Sequence, residues 1–197
     1  SLLRSRRSPN EYALPAHLNY SFSVHFRHSN TQPLPGVHHA RPRVGFCGNG
    51  TYSVRRQVNQ AFRLDPRVDA QIIDTDVFIK RIADKAPCYE QFERVMRDNS
   101  FILCCRGAGN WSIRFYETMC AGRIPVLLDT DVVLPKDDRI DWHTLIVMDS
   151  DPRRLVEKVV DWNRQGREFV CGKQRDIFEV WHTHLRPQVF FQIGGGK

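Results

Sequence analysis

Short unbroken apolar runs alternate along this chain with stretches whose apolar positions recur every three or four residues, a pattern of strand and helix in turn. Val44-Gly45-Phe46-Cys47 is the first run, a strand ending in Gly48-Asn49-Gly50. Residues 53–64 then read as a helix, with Ser53 as N-cap and Asp65-Pro66 as its stop. Residues 70–73 predict a second strand, and 76 to about 85 and 89–97 two further helices. Phe101-Ile102-Leu103-Cys104-Cys105 lacks the polar alternation of a half-exposed strand, so it predicts a parallel strand covered on both faces. Arg106-Gly107-Ala108-Gly109-Asn110 breaks that run with a turn where backbone can approach a ligand closely. From Ser112 the period becomes helical. Ile113, Tyr116 and Cys120 fall on one stripe and Arg114, Glu117, Thr118 and Ala121 on another, until Gly122 stops the helix. Ile124-Pro125-Val126-Leu127-Leu128 is the next buried strand, its proline near the start where a missing N–H is tolerated.

Residues 144–148 predict another strand. Asp151-Pro152 supplies an N-cap and a proline at the first helical position, opening a helix to about residue 163. A last long helix spans roughly 168–185 and carries Phe169, Ile177, Phe178 and Trp181. This alternation specifies an α/β fold with a doubly wound parallel, Rossmann-like sheet. The domain occupies residues 42–197. Residues 1–41, rich in Pro, His, Ser and Arg with only short strand candidates such as 20–26, read as linker or the end of a preceding domain. The pair His38-His39 reads as solvated linker, and residues 194–197 as a frayed tail.

A helix that starts straight after a glycine turn at the carboxyl end of a parallel strand aims free N–H groups and a partial positive charge at whatever lies there. The simplest occupant is a phosphate. A cation in the first helical turn opposes the macrodipole, so Arg114 needs an anion to justify its place. Arg106, Arg114 and the helix start, with Gly107, Gly109, Asn110 and Ser112, compose the expected anion site. Glu117, one turn deeper on the same face, is positioned to accept both hydroxyls of a ribose. Asp129 and Thr130 follow the next strand, at the carboxyl end where ligands of such sheets bind. Taken without this context, Arg114 and Glu117 would be an ordinary surface pair and the glycines would only shape a loop.

Composition narrows the reading. The chain has 197 residues, 41% hydrophobic and 26% charged, ordinary for a globular domain. Its net charge of +7, from 29 basic against 22 acidic residues, points to an anionic ligand or surface. No helix-turn-helix, finger or RNP-type motif accompanies that charge, so nucleic acid is not the expected partner. Nor is there an apolar run long enough to span a membrane or to serve as an export signal. The six cysteines form no CxxC pattern and read as buried free thiols rather than a zinc site. Three Asp-x-Asp triplets, at 74–76, 129–131 and 149–151, suit divalent cations in principle. Each stands where a strand ends, so turn and capping chemistry accounts for them and no metal is expected. Asn19, Asn49 and Asn110 head glycosylation sequons, two of them in the glycine-bearing loops after the first strand and after residues 101–105.

Arg106-Gly107, the Ser112-x-Arg114-Phe115-x-Glu117 helix start, Gly122-Arg123-Ile124-Pro125-Val126, Leu134-Pro135 and Ile140-Asp141-Trp142 together resemble the exostosin family of glycosyltransferases. Weaker similarity runs from Arg43 to about Phe191. The resemblance implies a GT-B fold, with this chain as its C-terminal, nucleotide-sugar-binding half. It also implies inverting transfer of a sugar from a UDP- or GDP-sugar to a saccharide acceptor without cofactor or metal. By the same resemblance Arg106 and Arg114 contact the diphosphate and Glu117 the ribose. The general base is expected from the N-terminal half, so none is named. A non-catalytic nucleotide-sugar-binding module, or a subunit needing a partner domain, stands as the alternative. For a eukaryotic member the resemblance implies a Golgi membrane, and otherwise the cytoplasm.

Overall fold

The computed structural model describes residues 3–6, 32–75 and 86–190. Five strands, β1 (Arg43–Gly48), β2 (Asp69–Asp74), β3 (Phe101–Cys104), β4 (Ile124–Leu128) and β5 (Val147–Asp149), form one sheet in the order β2-β1-β3-β4-β5, every pairing parallel. The helices are α1 (Ser53–Leu64), α2 (Ala86–Asp98), α3 (Ile113–Cys120), α4 (Trp142–Leu145), α5 (Pro152–Arg164), α6 (Arg167–Val180) and α7 (Pro187–Phe190). This is the α/β Rossmann-like sheet expected from the sequence. Right-handed crossovers put α1 on one face and α2 and α3 on the other, and α5 returns to pack on α1. The chain leaves β1 for β2, then crosses back over β1 to β3, so the sheet reverses direction between β1 and β3. That reversal opens a crevice at the carboxyl ends of those two strands.

Every residue of β3 and β4 is buried, as their unbroken apolar runs require, while edge strand β2 is only half-buried. Val58 and Phe62 of α1, Val95 and Met96 of α2, Met119 and Cys120 of α3, and Leu155 and Val159 of α5 close over the sheet. Gly122 ends α3 at φ +64°, while the amide of Arg123 reaches back to the carbonyl of Thr118 at 2.9 Å. A Cβ there would also stand 2.8 Å from Pro33, so both backbone and packing call for glycine. All six cysteines are free, and Cys47, Cys104, Cys105 and Cys120 are buried.

Several elements differ from the sequence expectation. Tyr52, not Ser53, holds the N-cap of α1, and no side chain caps that helix. The strand expected over 144–148 begins at Val147, because the Asp141 carboxylate accepts the amides of His143 and Thr144 and coils 142–145 into α4. The last helix is α-helical only to Val180. Trp181–Leu185 then widens into a π-turn closed by the Arg186 amide on the Trp181 carbonyl at 2.9 Å. Arg186 is extended (ψ 145°), the conformation the following proline demands.

The pair His38-His39 is not solvated, and residues 32–41 pack on the domain. They run beneath the amino end of the sheet, where Gln174 holds Val37 by both its amide and carbonyl, at 2.9 and 2.7 Å. His38 and His39 are half-buried, with Nε2 atoms 3.4 Å from the Asn163 carbonyl and 3.1 Å from the Asp98 carbonyl. Those carbonyls belong to the last turns of α5 and α2, which lack intrahelical donors. The candidate strand at 20–26, the helix at 76–85 and the tail at 194–197 lie outside the described residues.

Candidate functional site

At the reversal between β1 and β3 lies a cavity of about 280 Å³. Phe46, Cys47 and Gly48 line it from β1, Leu103 from β3 and Cys105 just beyond it, and Arg55 from α1. Gly107, Ala108, Gly109 and Trp111 contribute from the glycine turn, and Ser112, Ile113, Arg114 and Glu117 from the start of α3. Larger hollows open elsewhere, one of about 680 Å³ between α1 and α5 and one of about 480 Å³ beside Arg4 and the 137–143 turn. Neither lies at the crevice between β1 and β3.

Two helices begin beside this cavity without a side-chain cap. Neither Tyr52 of α1 nor Ser112 of α3 makes a side-chain capping bond, whereas Asp141 and Asp151 cap α4 and α5. Free N–H groups at a helix start are donors waiting for an anion or water. Both helices also carry an arginine in the first turn, Arg55 and Arg114. Arg55 Nη1 donates to the Asn49 carbonyl at 2.7 Å and Nε to the Arg106 carbonyl at 3.1 Å, which ties the β1 and β3 loops together. Its guanidinium lies over the Tyr52 ring, 5.2 Å from the centroid. Among the described residues no carboxylate pairs with it. Burial holds its pKa below the usual arginine value, and Arg114 adds a like charge.

Arg114 Nη2 donates to the Cys47 carbonyl at 2.6 Å, and its guanidinium stacks 4.0 Å from the Phe92 ring centroid. Nη1 is buried 3.2 Å from Glu117 Oε2, an ion pair without hydrogen-bond alignment. Glu117 is 3% exposed. Burial pushes its pKa up, and Arg114 pulls it part of the way back. The cavity therefore holds two guanidinium groups against one carboxyl that burial discourages from ionising.

Of the residues expected from the sequence, Gly107, Gly109, Ser112, Arg114 and Glu117 meet in the cavity. Arg106 does not line it; its Nε is buried without a partner, and only its carbonyl joins the network, through Arg55. Asn110 and Thr130 bond each other twice instead. The Asn110 amide donates to the Thr130 carbonyl at 3.1 Å and accepts the Thr130 hydroxyl at 2.5 Å, locking the glycine turn to the loop after β4. Asp129 caps its own loop, accepting the amide of Asp131 at 2.9 Å, and takes Arg4 Nη2 at 2.5 Å. Arg4 and Ser5 clip onto Asp131, and Leu3 bridges to Val132, so residues 3–6 cover this loop. Asp149 likewise accepts the amide of Asp151 at 3.0 Å. Sequence reasoning missed Arg55, although its signal was the one that found Arg114: a cation in the first turn of a helix behind a glycine-bearing loop.

Known proteins carry the same domain. The Exostosin GT47 domain matches residues 22–159. Exostosin-1 of Drosophila melanogaster is 38% identical over 97 residues, which cover 48% of this chain and 12% of that protein. A protein of Oryza sativa subsp. japonica named as a probable glucuronosyltransferase is 34% identical over 162 residues, 79% of this chain and 34% of its own. One of Arabidopsis thaliana named as a probable beta-1,4-xylosyltransferase is 32% identical over 104 residues, 53% of this chain and 21% of its own. The matched stretches thus span between 12% and 34% of the length of these relatives. A domain match across most of the chain, on a parallel sheet whose crevice gathers first-turn arginines and a buried glutamate, makes this chain a member of the exostosin GT47 family of glycosyltransferases.

Proposed function

We propose that the crevice between β1 and β3 holds the nucleoside diphosphate of a nucleotide-sugar, and that this domain serves as the donor-binding half of an inverting glycosyltransferase. The observation that carries the reading is the convergence of Arg55 and Arg114, each from the first turn of a side-chain-uncapped helix, on one cavity. A diphosphate there would answer both guanidinium groups and the free amides of α1 and α3. Glu117, one turn below, would accept the ribose hydroxyls. In the reaction an acceptor hydroxyl oxygen attacks the anomeric carbon and the bond from that carbon to the diphosphate oxygen breaks. The hydroxyl proton passes to a base supplied from outside the described residues. Charge then grows on the diphosphate, where a well-placed donor in a water-poor site is typically worth about 3 kcal/mol. The relatives' names, which include glucuronosyl- and xylosyltransferases, support sugar transfer as the chemistry.

A thermal-shift panel of UDP, GDP, their sugars, NAD and ATP tests the reading. A ligand at 100 times its Kd stabilises by about 2.7 kcal/mol. The expected result is a shift for a nucleoside diphosphate or its sugar, lost in Arg114→Ala. Because Arg114→Ala strands the buried Glu117, Arg55→Gln is the cleaner probe: Arg55 leaves no carboxylate unpaired, so the variant should fold and still lose the shift. A response to NAD alone, or an undiminished shift in both variants, would refute the assignment.

A further inference from the structure

Among the described residues three large hydrophobic side chains are exposed: Leu64 at 72%, Trp111 at 48% and Ile113 at 40%. A single exposed apolar residue needs no explanation, but here two of the three, Trp111 and Ile113, line the same cavity as Arg55, Arg114 and Glu117. The indole of Trp111 lies against the glycine turn. A Cβ on Gly109 would fall 2.6 Å from its Nε1 and 2.8 Å from its Cδ1, so the turn must carry glycine there for the ring to rest where it does. Among the described residues the indole N–H has no hydrogen-bond partner, and the ring stacks on no other. A tryptophan combines a large apolar face with one donor, and an aromatic face attracts the partly positive C–H edge of a neighbouring ring.

The order of residues along α3 says what would meet that face. Glu117 lies about 4–5 Å below Arg114 at 1.5 Å per residue, and Trp111 precedes the helix at the outer end. With the diphosphate at the helix start and the ribose below it, the part of the donor beyond the diphosphate points outward, toward Trp111 and Ile113. We infer that Trp111 is a specificity residue whose indole stacks on the apolar face of a pyranose ring at the mouth of the cavity, with its N–H free to bond a ring hydroxyl. The inference rests on the donor-site reading above. The ring belongs either to the donor's glycosyl group or to the acceptor saccharide beside it.

The two sources separate in one experiment on Trp111→Ala and Trp111→Phe. Calorimetric titration is run with UDP, with UDP-glucuronate and UDP-xylose, and with xylotriose added to the UDP complex. The side chain is half exposed, so both variants should keep the wild-type melting temperature and UDP affinity. A donor ring predicts that Trp111→Ala weakens the UDP-sugars by about three- to tenfold while UDP is unchanged. An acceptor ring predicts that the loss falls on xylotriose alone, and in either case Trp111→Phe retains most of the affinity. Equal losses for UDP and its sugars, or no loss in any titration, would overturn the stacking role while leaving the donor site standing. Failure of the wild type to bind UDP, GDP or their sugars would instead remove the donor site and this inference together.

Discussion

Glu117 and Arg114 show how one side chain's burial sets another's duty. Burial raises the Glu117 pKa above its unfolded value, so the folded state keeps a proton that the unfolded chain gives up. The associated stability is fully present below the unfolded value of about 4.5 and is lost as pH rises through the folded one. Measured against Glu117→Gln, which removes the titration and keeps the shape, the wild type should lose relative stability as pH climbs from about 4.5, then level off. Melting curves of the two proteins from acid to neutral pH check this; a pH-independent difference, or one rising with pH, would contradict it. At this scale the sequence was partly legible. Arg114 and Glu117 were readable because helix periodicity fixes neighbours three apart. Arg106 was not, because a residue in a turn has no periodicity to say where its guanidinium goes. Arg55 needed only the reasoning applied to Arg114, but it stood among several basic residues and read as net charge.

At the scale of elements, Arg123 does the least visible work. It is fully buried between α3 and β4, and its guanidinium donates to the carbonyls of Met96 at 2.7 Å and Arg97 at 3.2 Å. Those are last-turn carbonyls of α2 that the helix cannot satisfy itself. Burial pulls its pKa down to about 10, still far above neutrality, so the group stays charged. Arg123→Leu fits the space but supplies no donor, and should cost about 1–3 kcal/mol for each carbonyl left unmet. Urea unfolding of the variant measures it, and a loss under about 0.5 kcal/mol, the range of an ordinary surface change, would show that water replaces the guanidinium. Element boundaries were legible where local chemistry decides them: α1 and β4 fall where the pattern puts them, and Asp151-Pro152 opens α5. They shifted where a capping side chain or a later proline competes with periodicity, as Asp141 does ahead of β5 and Pro187 beyond the π-turn.

For the whole molecule, alternation of strands and helices foretold a parallel sheet, but not its order. Position in the sheet is settled by which crossover returns over which strand, and no local signal records that β2 lies outside β1. The crevice follows from that order, as does the meeting of α1 and α3 starts that are more than fifty residues apart in the chain. Several arginines among the described residues are spent locally. Arg4, Arg43 and Arg67 pair with carboxylates at the surface, where water and salt screen such pairs, while Arg55, Arg114 and Arg123 turn inward.

The bond between Asn110 and Thr130 has a consequence in time rather than in space. Asn110 heads a sequon, yet once the sheet has formed its amide is 6% exposed and engaged at both ends, out of reach of any enzyme that would attach a glycan. Made in a cell that reads sequons, the chain becomes its own stopwatch. Occupancy at Asn110 should be near zero for the wild type and should climb in Thr130→Ala or when folding is slowed, as mass spectrometry of the peptide that holds Asn110 would show. Full occupancy of a rapidly folding wild type would mean that the clasp closes late.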